Sequence, residues 1–300
     1  MKILLLGKHG QVGRELQHSL APLGELLALG SRSAPVCGDL ADLVGLSRTL
    51  QHYAPEVIVN AAAYTAVDRA EADTAAAYRV NAEAVGVLAR YAAQSGALLV
   101  HFSTDYVYPG HGVLPWTEYD TTGPLNVYGA SKLAGEVAIR LSGCRYLIFR
   151  TSWVHAAHGN NFAKTLLKLA ARRGSLGVID DQFGAPTEAR LLADISAQAI
   201  PQVLREPALA GLYNVAAAGE TTWFRYAGFV LAHAQAAGLP LMLAPCALNP
   251  LTTEQYPTPA LRPFNSRLAT TRLQTAFGVD LPDWTTGVAR TLNELMEQQA

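Results

Sequence analysis

Short apolar runs alternate with longer amphipathic segments along the first half of the chain. The runs are "KILLLG", "ELLALG", "EVIVNAAA", "ALLVHFS" and "YLIFRTS". The helical pattern "QVGRELQHSLAPLG" follows the first run, and further helices are predicted near 42–53, 74–95 and 127–142. Continuous apolar runs are typical of strands that are buried on both faces. Their alternation with helices predicts a parallel sheet covered on both sides.

The pattern changes after about residue 155, where the alternation weakens and proline-rich pieces such as "APCALNPLTTEQYPTPALRPF" appear. The chain as a whole is therefore predicted to be α/β, with a Rossmann-like doubly wound parallel sheet and a smaller, loop-rich C-terminal substrate domain. The predicted boundaries are 1–155 for the domain built on this sheet, with returning segments near 177–215, and 156–300 for the mainly substrate-binding portion.

Composition narrows the functional classes. The chain has 300 residues, half of them hydrophobic, and a net charge of −1, which indicates a packed globule without the basic footprint of a nucleic-acid-binding protein. The apolar runs are too short to span a bilayer, and "MKILLLG" lacks a signal-peptide cleavage pattern. The chain has three cysteines, an odd number, and they are widely spaced: Cys37, Cys144 and Cys246. The sequence contains no Cys/His cluster of the kind that binds zinc. These features predict a reduced, cytoplasmic protein without a membrane partner.

A glycine loop follows the first predicted strand. In "LLLGKHGQVGREL", Gly7, Gly10 and Gly13 have the spacing GxxGxxG, with Gln11 and Val12 inside the motif. Glycine allows a sharp turn and a close approach of the backbone to a pyrophosphate, which binds at the N-terminus of the following helix. The motif therefore predicts a dinucleotide site. The alternative is a tight turn that needs glycine for packing alone.

The end of the second predicted strand bears on which dinucleotide binds. An acidic residue there is typical of NAD sites, and an arginine of NADP sites. This chain has Gly30 at that place, followed by Ser31, Arg32 and Ser33. A guanidinium and two hydroxyls suit a 2′-phosphate, so NADPH is predicted, with NADH and a merely solvated turn as the alternatives.

Two further segments are predicted to line the cofactor. "CGDLAD" offers Asp39 and Leu40 to the adenine. "NAAAYT" ends the third predicted strand, where the ribose and the phosphates would pass. Its candidate contacts are Ala62, Ala63, Tyr64 and Thr65.

The candidate catalytic groups lie in "PLNVYGASKLAGE" and "HFSTDYVYPG". Tyr128 and Lys132 are four residues apart and so share one helix face. An ammonium group near a phenol favours the phenolate, which predicts a lowered pKa for Tyr128 and a general acid for ketone reduction. Thr104, at the end of a strand, can hydrogen-bond the same carbonyl oxygen, with Ser103 as the nearby alternative. YxxxK alone is common on helix surfaces and is weak evidence for a catalytic pair. The glycine loop and the strand-end hydroxyl, in the expected chain order, support the catalytic interpretation.

Together these pieces resemble the extended short-chain dehydrogenase/reductases, and at closer range the dTDP-4-dehydrorhamnose reductase family. The strings that carry the closer resemblance are "GKHGQVG", "VIVNAAAYTAVDRAE", "HFSTDYVYPG", "PLNVYGASKLAGE", "FRTSWV", "GNNFAKTLL", "DQFGAPT" and "RPFNSRL". The resemblance covers nearly the whole chain. It implies NADPH-dependent reduction of the 4-keto group of dTDP-4-dehydro-6-deoxy-L-mannose to dTDP-L-rhamnose, for cell-surface polysaccharide.

The resemblance also implies roles for single residues. Tyr128 is implied as the proton donor, Lys132 as the group that holds the cofactor ribose and tunes Tyr128, and Thr104 as the group that polarises the ketone. The residues implied for the sugar pocket are Asp105, Tyr106 and Trp153. The alternative for Trp153 is core packing.

Some members of the resembled family bind Mg²⁺ through glutamates at a dimer interface, so the resemblance allows a homodimer. One of those glutamates lies early in the helix after "DQFGAPT". Here that helix reads "EARLLAD", with Glu188 and Arg190. This departure argues against Mg²⁺, so no metal site is predicted, and Glu15 is the one remaining candidate ligand.

Two other functions stay open at this stage. One is a nucleotide-sugar epimerase or dehydratase on the same fold, since Asp105 beside Thr104 is placed where dehydratases carry an acid. The other is a non-catalytic, NADP-binding regulatory subunit, which could keep YxxxK. Retention of "TSWV" and "GNNFAKT" on the sugar side favours the reductase.

Overall fold

The computed structural model describes residues 1–298. The strands are β1 Lys2–Leu6, β2 Glu25–Leu29, β3 Val57–Asn60, β4 Leu98–Thr104, β5 Arg145–Thr151, β6 Val154–His155, β7 Leu176–Ile179, β8 Phe183–Gly184, β9 Thr187–Glu188, β10 Gly211–Asn214, β11 Thr221–Thr222 and β12 Leu248–Leu251. The helices are α1 Gln11–Leu20, α2 Leu43–Tyr53, α3 Val67–Ala72, α4 Thr74–Tyr78, α5 Ala84–Ser95, α6 Val127–Ser142, α7 Phe162–Ala170, α8 Ala189–Arg205, α9 Trp223–Ala236, α10 Thr271–Phe277 and α11 Trp284–Glu297. Within residues 1–298, no helix combines the length and apolarity that a membrane crossing requires.

The main sheet has six strands in the order β2-β1-β3-β4-β5-β10, and every neighbouring pair is parallel. The strand order reverses at β1, because β2 lies on one side of it and β3 on the other. In open α/β sheets, ligands bind in the crevice at the carboxyl ends of the strands beside such a reversal. The predicted α/β class with a doubly wound parallel sheet is confirmed.

Both faces of this sheet are buried, which explains the uninterrupted apolar runs. Ile3 and Leu5 belong to the core beneath α1 and α8, whereas Leu4 and Leu6 belong to the core beneath α2 and α5. All four side chains are fully buried. Burying a leucine or isoleucine side chain contributes about 1.5–3 kcal/mol, so each central strand stabilises the fold from two sides at once.

The second half of the chain is more irregular. Three pairs of short strands, β6–β9, β7–β12 and β8–β11, lie outside the main sheet. Helices α7, α9 and α11 enclose a separate core, which includes Leu166, Tyr226, Val230 and Val288. Between these pieces the chain returns to the main sheet through α8, which packs in the core with α1, and through β10. The boundary at residue 155 stays a prediction.

The helix predicted at 74–95 is interrupted. α4 leads into a π turn at Arg79–Glu83, and α5 follows it. Asn81, inside the turn, is buried, and its Oδ1 accepts the Tyr64 N–H at 2.8 Å while its Nδ2 donates to the Tyr64 carbonyl at 3.0 Å. Nδ2 also donates to Ser131 Oγ on α6 at 3.0 Å. The turn therefore fixes the segment 61–65 at the edge of the crevice.

Candidate active site

A cavity of about 1000 Å³ opens at the carboxyl ends of the parallel strands. It brings most of the predicted cofactor and substrate residues into one space. Those in its lining are Gly7, Gly10, Gln11, Val12, Ser31, Asp39, Leu40, Ala62, Ala63, Tyr64, Thr65, Thr104, Asp105, Tyr106, Tyr128, Lys132 and Trp153. Gly13, Arg32 and Glu15 lie outside it.

The glycine loop is shaped by two close approaches. Gly7 has φ +89°, and a Cβ at this position would come within 2.6 Å of the Ala62 backbone nitrogen. A Cβ on Gly13 would overlap the Gly7 carbonyl, so this glycine packs the start of α1 onto the loop and does not face the cavity. Helix α1 begins at Gln11, directly after Gly10. Its N-terminal end therefore lies at the cavity, where it suits an anionic pyrophosphate.

At the end of β2, the imidazole of His9 lies against Gly30. A Cβ on Gly30 would come within 2.7 Å of His9 Cδ2. The Gly30 N–H donates to Ser33 Oγ at 2.9 Å, which closes a tight turn. His9, Gly30 and Ser31 line the cavity, whereas the exposed Arg32 lies outside its lining. Sequence reasoning missed His9, because its position opposite Gly30 depends on how the glycine loop folds over β2.

Tyr128 and Thr104 meet at the cavity wall. Both residues line the cavity, and Thr104 Oγ1 donates to Asp105 Oδ1 at 3.1 Å. The Tyr106 ring packs edge-on against Tyr128, with centroids 5.8 Å apart. Burial raises the pKa of Tyr128 to about 12, although the nearby Thr104 hydroxyl opposes the shift. The expectation of a lowered phenol pKa is therefore wrong for this arrangement. Burial outweighs any help from Lys132, and the hydroxyl keeps its proton.

Lys132 lies one helical turn after Tyr128 on α6 and is almost fully buried. Its Nζ donates to the Phe102 carbonyl at 2.6 Å and lies 3.2 Å from His101 Nε2. Burial lowers the pKa of Lys132 to about 8, and the Glu136 charge opposes this shift. The amine is thus held against β4, on the floor of the cavity. His101 was not identified from the sequence.

A buried ion pair lies behind these groups. Arg150 on β5 donates from Nε and Nη2 to the two carboxylate oxygens of Glu136 on α6, at 2.9 and 2.6 Å. Ser103 Oγ donates to Glu136 Oε1 at 2.5 Å, and Arg150 Nη1 donates to Tyr108 Oη at 2.8 Å. The nearby alternative to Thr104, Ser103, is therefore engaged with Glu136. The one sequence signal for Glu136 was its position four residues after Lys132.

Asp105 presents a carboxyl group with unused hydrogen-bonding capacity. The residue is 3% exposed, and its Oδ2 has no hydrogen-bond partner among the described residues. Burial raises the pKa of this carboxyl to about 7, against hydrogen bonds from Ser266 and Thr104. A protonatable carboxyl in the cavity wall suits a sugar hydroxyl as its partner.

Two indoles stack in the same cavity. The rings of Trp153 and Trp223 are 3.7 Å apart and nearly parallel, and Phe162 packs on Trp223. Trp153 has φ +48°, which is unusual for a residue with a side chain. A Cβ on Gly184 would come within 2.8 Å of the Trp153 ring. Glycine at this position therefore leaves room for the indole. Trp153 joins both the aromatic core and the cavity wall. Trp223 had no signal in the sequence.

The side chains near Glu15 do not fit a Mg²⁺ site. Glu15 lies 3.5 Å from His158 Nδ1, and Glu188 is paired with Arg290 at 2.9 Å. Arg190 lines the same small cavity as Glu15 and Glu188. Among residues 1–298, no group of three or more acidic, His or Cys side chains is arranged to hold a metal. Arg290 takes the Glu188 carboxylate contact that a divalent cation would need, and His158 lies beside the Glu15 carboxylate.

Comparison with known proteins shows to which family the chain belongs. The family model described as the RmlD substrate binding domain matches residues 1–297. A dTDP-4-dehydrorhamnose reductase of Escherichia coli (strain K12) is 53% identical over 300 residues, covering all of both chains. A crystal structure of a dTDP-4-dehydrorhamnose reductase from Clostridium acetobutylicum has a TM-score of 0.87 at 31% identity, covering 99% of this chain and all of that one. The enzyme from Bacillus anthracis, solved in complex with NADP, has a TM-score of 0.86 at 31% identity, covering 98% and 100%. This chain therefore belongs to the dTDP-4-dehydrorhamnose reductase family.

Proposed function

We infer that the protein catalyses the NADPH-dependent reduction of the 4-keto group of dTDP-4-dehydro-6-deoxy-L-mannose to dTDP-L-rhamnose, for cell-surface polysaccharide synthesis. One observation supports this inference most strongly. A single cavity joins the glycine loop to Tyr128, Thr104 and Trp153, in a chain that matches its E. coli relative from end to end.

The reduction adds a hydride to the sugar carbon and a proton to its carbonyl oxygen. NADPH, when bound, supplies the hydride. Tyr128 donates its phenolic proton to the oxygen, while the Thr104 hydroxyl stabilises the negative charge that develops there. The tyrosine then regains a proton from solvent. Both side chains line the same cavity, and Thr104 lies near enough to Tyr128 to affect the pKa of its hydroxyl, so the two donors are placed to act on one oxygen.

The cofactor would lie along the carboxyl ends of β1, β3 and β4. Its pyrophosphate suits the loop at Gly7 and the start of α1, and its adenine suits Asp39 and Leu40. At the end of β2 there is no carboxylate to repel a 2′-phosphate, and His9, Ser31 and Arg32 supply donors instead. The relative from B. anthracis was solved with NADP, which supports the assignment of NADPH; NADH is the weaker substrate in this proposal.

The sugar nucleotide would occupy the rest of the cavity. Asp105 and Tyr106 offer hydrogen bonds to the sugar hydroxyls, and the Trp153 indole offers a flat apolar surface to the deoxysugar. Trp223, stacked on Trp153, extends that surface. These assignments make the aromatic pair a determinant of substrate affinity.

Location and assembly are part of the same proposal. Cys37, Cys144 and Cys246 are unpaired, which supports a reducing, cytoplasmic compartment. A homodimer is proposed from the resemblance, with the charged surface of α8 and α11 around Arg190 and Arg290 as its candidate interface. Sedimentation velocity of the purified chain tests this state, and a mass of about 32.0 kDa across micromolar concentrations would contradict it.

Turnover with the 4-keto sugar nucleotide, generated in place by the preceding enzymes, tests the function. One NADPH should be oxidised for each dTDP-L-rhamnose formed. A dehydratase or epimerase, for which the protonatable Asp105 is the supporting observation, would show no net oxidation of NADPH. A regulatory subunit would bind NADP without converting the sugar.

A further inference from the structure

The segment 154–161, which runs from β6 to the start of α7, holds the first residue of α1 at three points. Asn161 Nδ2 donates to Gln11 Oε1 at 2.9 Å, and Gln11 Nε2 donates to the Val154 carbonyl at 3.4 Å. His158 Nε2 lies 3.1 Å from the Gln11 carbonyl. Because a carbonyl oxygen only accepts, this ring nitrogen is the donor. Both ends and the middle of the segment are therefore attached to Gln11.

The contact between the segment and Gln11 is close. Gly159 has φ +71°, and a Cβ at this position would lie 2.9 Å from Gln11 Cγ. Asn161 Nδ2 also donates to a carbonyl within the segment at 2.7 Å, and Asn161 Oδ1 accepts the Lys164 N–H at 3.1 Å and so caps α7. The Asn161 side chain thus ties Gln11 to the fold of the segment and to the start of α7.

Gln11 also belongs to the dinucleotide side of the cavity. It is the first residue of α1, and the preceding Gly10 supplies no side-chain cap. The N–H groups of the first turn of a helix have no partner within the helix, and Gly10, Gln11 and Val12 line the cavity. The pyrophosphate of the proposed function would bind at these N–H groups. Since the segment uses the side chain and the carbonyl of Gln11, the two do not compete for the same atoms.

The segment is equally close to the proposed sugar pocket. Trp153 directly precedes the segment, Phe162 directly follows it, and both line the cavity. Phe162 packs on Trp223 with ring centroids 4.8 Å apart, and Trp223 stacks on Trp153. The tip of the segment, 159–160, is exposed and also lines the cavity. A displacement of the segment would therefore move the rings on which the deoxysugar is proposed to lie.

We propose that Gln11 couples the dinucleotide site to the sugar-nucleotide site. NADPH bound at the start of α1 fixes Gln11, and Gln11 holds the segment 154–161. The segment in turn sets Trp153 and Phe162 for the sugar nucleotide. The coupling is positive, because a segment already ordered by NADPH loses less conformational entropy when the second ligand binds. The proposal rests on the two ligand sites of the proposed function, and it gives the side chains of Gln11 and Asn161 a positioning role.

Calorimetric titration with dTDP-L-rhamnose, without and with saturating NADPH, measures the coupling. Both ligands are already reduced, so they form a ternary complex that cannot react. NADPH should tighten dTDP-L-rhamnose binding by about fivefold or more, and saturating dTDP-L-rhamnose should tighten NADPH binding by the same factor. Equal affinities with and without the other ligand would overturn the coupling and leave the proposed function standing. Failure of either ligand to bind the free protein and the complex alike would overturn both.

Two variants break the contact in different ways. Gln11→Ala removes the amide and keeps the backbone N–H at the start of α1. Asn161→Asp removes the donor to Gln11 and keeps an oxygen that caps α7. In both variants the coupling factor should fall below about twofold, whatever the affinity for each ligand alone. A coupling that arises from direct contact between the two ligands would persist in both variants, and its persistence contradicts the proposal.

Gln17→Ala is the matched control. Gln17 lies on the same helix, and its Nε2 donates to the Lys8 and Gly13 carbonyls at 2.9 and 3.2 Å. It braces the glycine loop without touching the segment 154–161, so this variant should keep the wild-type coupling factor. Loss of the coupling in Gln17→Ala as well would show that the glycine loop, and not the contact of Gln11 with the segment, carries it.

Amide hydrogen exchange gives a second readout that needs no sugar ligand. NADPH should slow the exchange of the amides in the segment 154–161 of the wild-type protein. In Gln11→Ala the exchange should stay fast although NADPH is bound. Mass spectrometry of the peptides that cover the segment measures both. Unchanged exchange in the wild-type protein, or equal slowing in Gln11→Ala, would refute the role of Gln11.

Discussion

Arg150 and Glu136 form a buried ion pair that is joined by two hydrogen bonds, of 2.6 and 2.9 Å. The pair joins α6, which carries Tyr128 and Lys132, to β5. Through Ser103 it also reaches the end of β4, next to Thr104. The geometry of the site is thus tied to a charge pair whose two residues lie outside the cavity lining.

Breaking this pair should destabilise the whole protein. Glu136→Gln keeps the shape of the side chain but leaves the Arg150 charge buried without its partner, which typically costs about 3–5 kcal/mol. Urea unfolding measures the loss. The control is Glu83→Gln in the exposed Arg79–Glu83 pair, where we expect a change of about 0.5 kcal/mol or less. Equal losses of unfolding free energy in the two variants would show that the buried pair stabilises the protein no more than the exposed pair does.

Tyr128→Phe should abolish turnover and leave the fold and NADPH binding intact. The change removes only the phenolic oxygen and its proton, and general acid catalysis contributes about 10²–10⁴-fold. Thr104→Val should reduce turnover less, since it removes one of two donors to the oxygen. Steady-state turnover and NADPH fluorescence measure the two effects separately. If Tyr128→Phe keeps more than about a tenth of the wild-type rate, this tyrosine is not the essential acid.

The contacts to the 2′-phosphate should appear as a difference between NADPH and NADH. His9→Ala should weaken NADPH binding about tenfold relative to NADH binding, which corresponds to about 1.4 kcal/mol, and Arg32→Ala should do so by a smaller factor. Binding of 2′,5′-ADP, compared with 5′-AMP, gives the same comparison without turnover. Because Arg32 lies outside the cavity lining, the structure favours the larger effect at His9. Equal losses for both cofactors would remove these residues from the phosphate site.

The indole pair should control affinity for the sugar nucleotide. Trp153→Ala and Trp223→Ala should raise KM for the 4-keto substrate and leave NADPH affinity nearly unchanged. Trp223→Phe keeps an aromatic ring against Trp153 and should retain most of the affinity. Variants that unfold at lower temperature but show normal KM would identify both rings as core residues.

Asp105 should give the protein a pH-dependent stability. Its carboxyl has a pKa of about 7 in the folded protein, raised from 3.8 by burial, so the folded state holds a proton that the unfolded state has lost. The stability linked to this proton is complete below about pH 4 and is lost as the pH rises through 7, by up to ~4 kcal/mol. Asp105→Asn should lack this pH-dependent contribution to the free energy of unfolding. Urea unfolding at pH 4.5 and 7.5 tests it, and a constant difference between variant and wild type would contradict it.

The sequence was informative where local spacing reflects chemistry. The glycine loop, the Tyr128–Lys132 pair and the strand-end Thr104 were found because each lies within a short stretch of chain whose backbone geometry follows from its own residues. The main sheet was predictable for the same reason, since its strands are buried on both faces and read as continuous apolar runs.

What the sequence did not reveal depends on register between distant segments. His101 faces Asn60 because β3 and β4 pair with residues 57 and 98 aligned. Trp223 reaches Trp153 from a helix 70 residues away along the chain. The phenol pKa was misjudged because spacing shows that Tyr128 and Lys132 are neighbours but not that burial dominates both.

The π turn at Arg79–Glu83 sets the phase of the helix that follows it. Such a turn holds one residue more than an α-helical turn, so α5 is rotated by roughly 100° from the continuation of α4. A single helical wheel drawn over 74–95 therefore cannot place the buried faces of both halves. Deleting one residue from the turn would restore an unbroken α-helix, and the amide of Asn81 would then swing off Tyr64. The helical stretch 74–95 borders the cavity through Val80 in the π turn. Its length is therefore constrained in a way that the length of a surface loop is not.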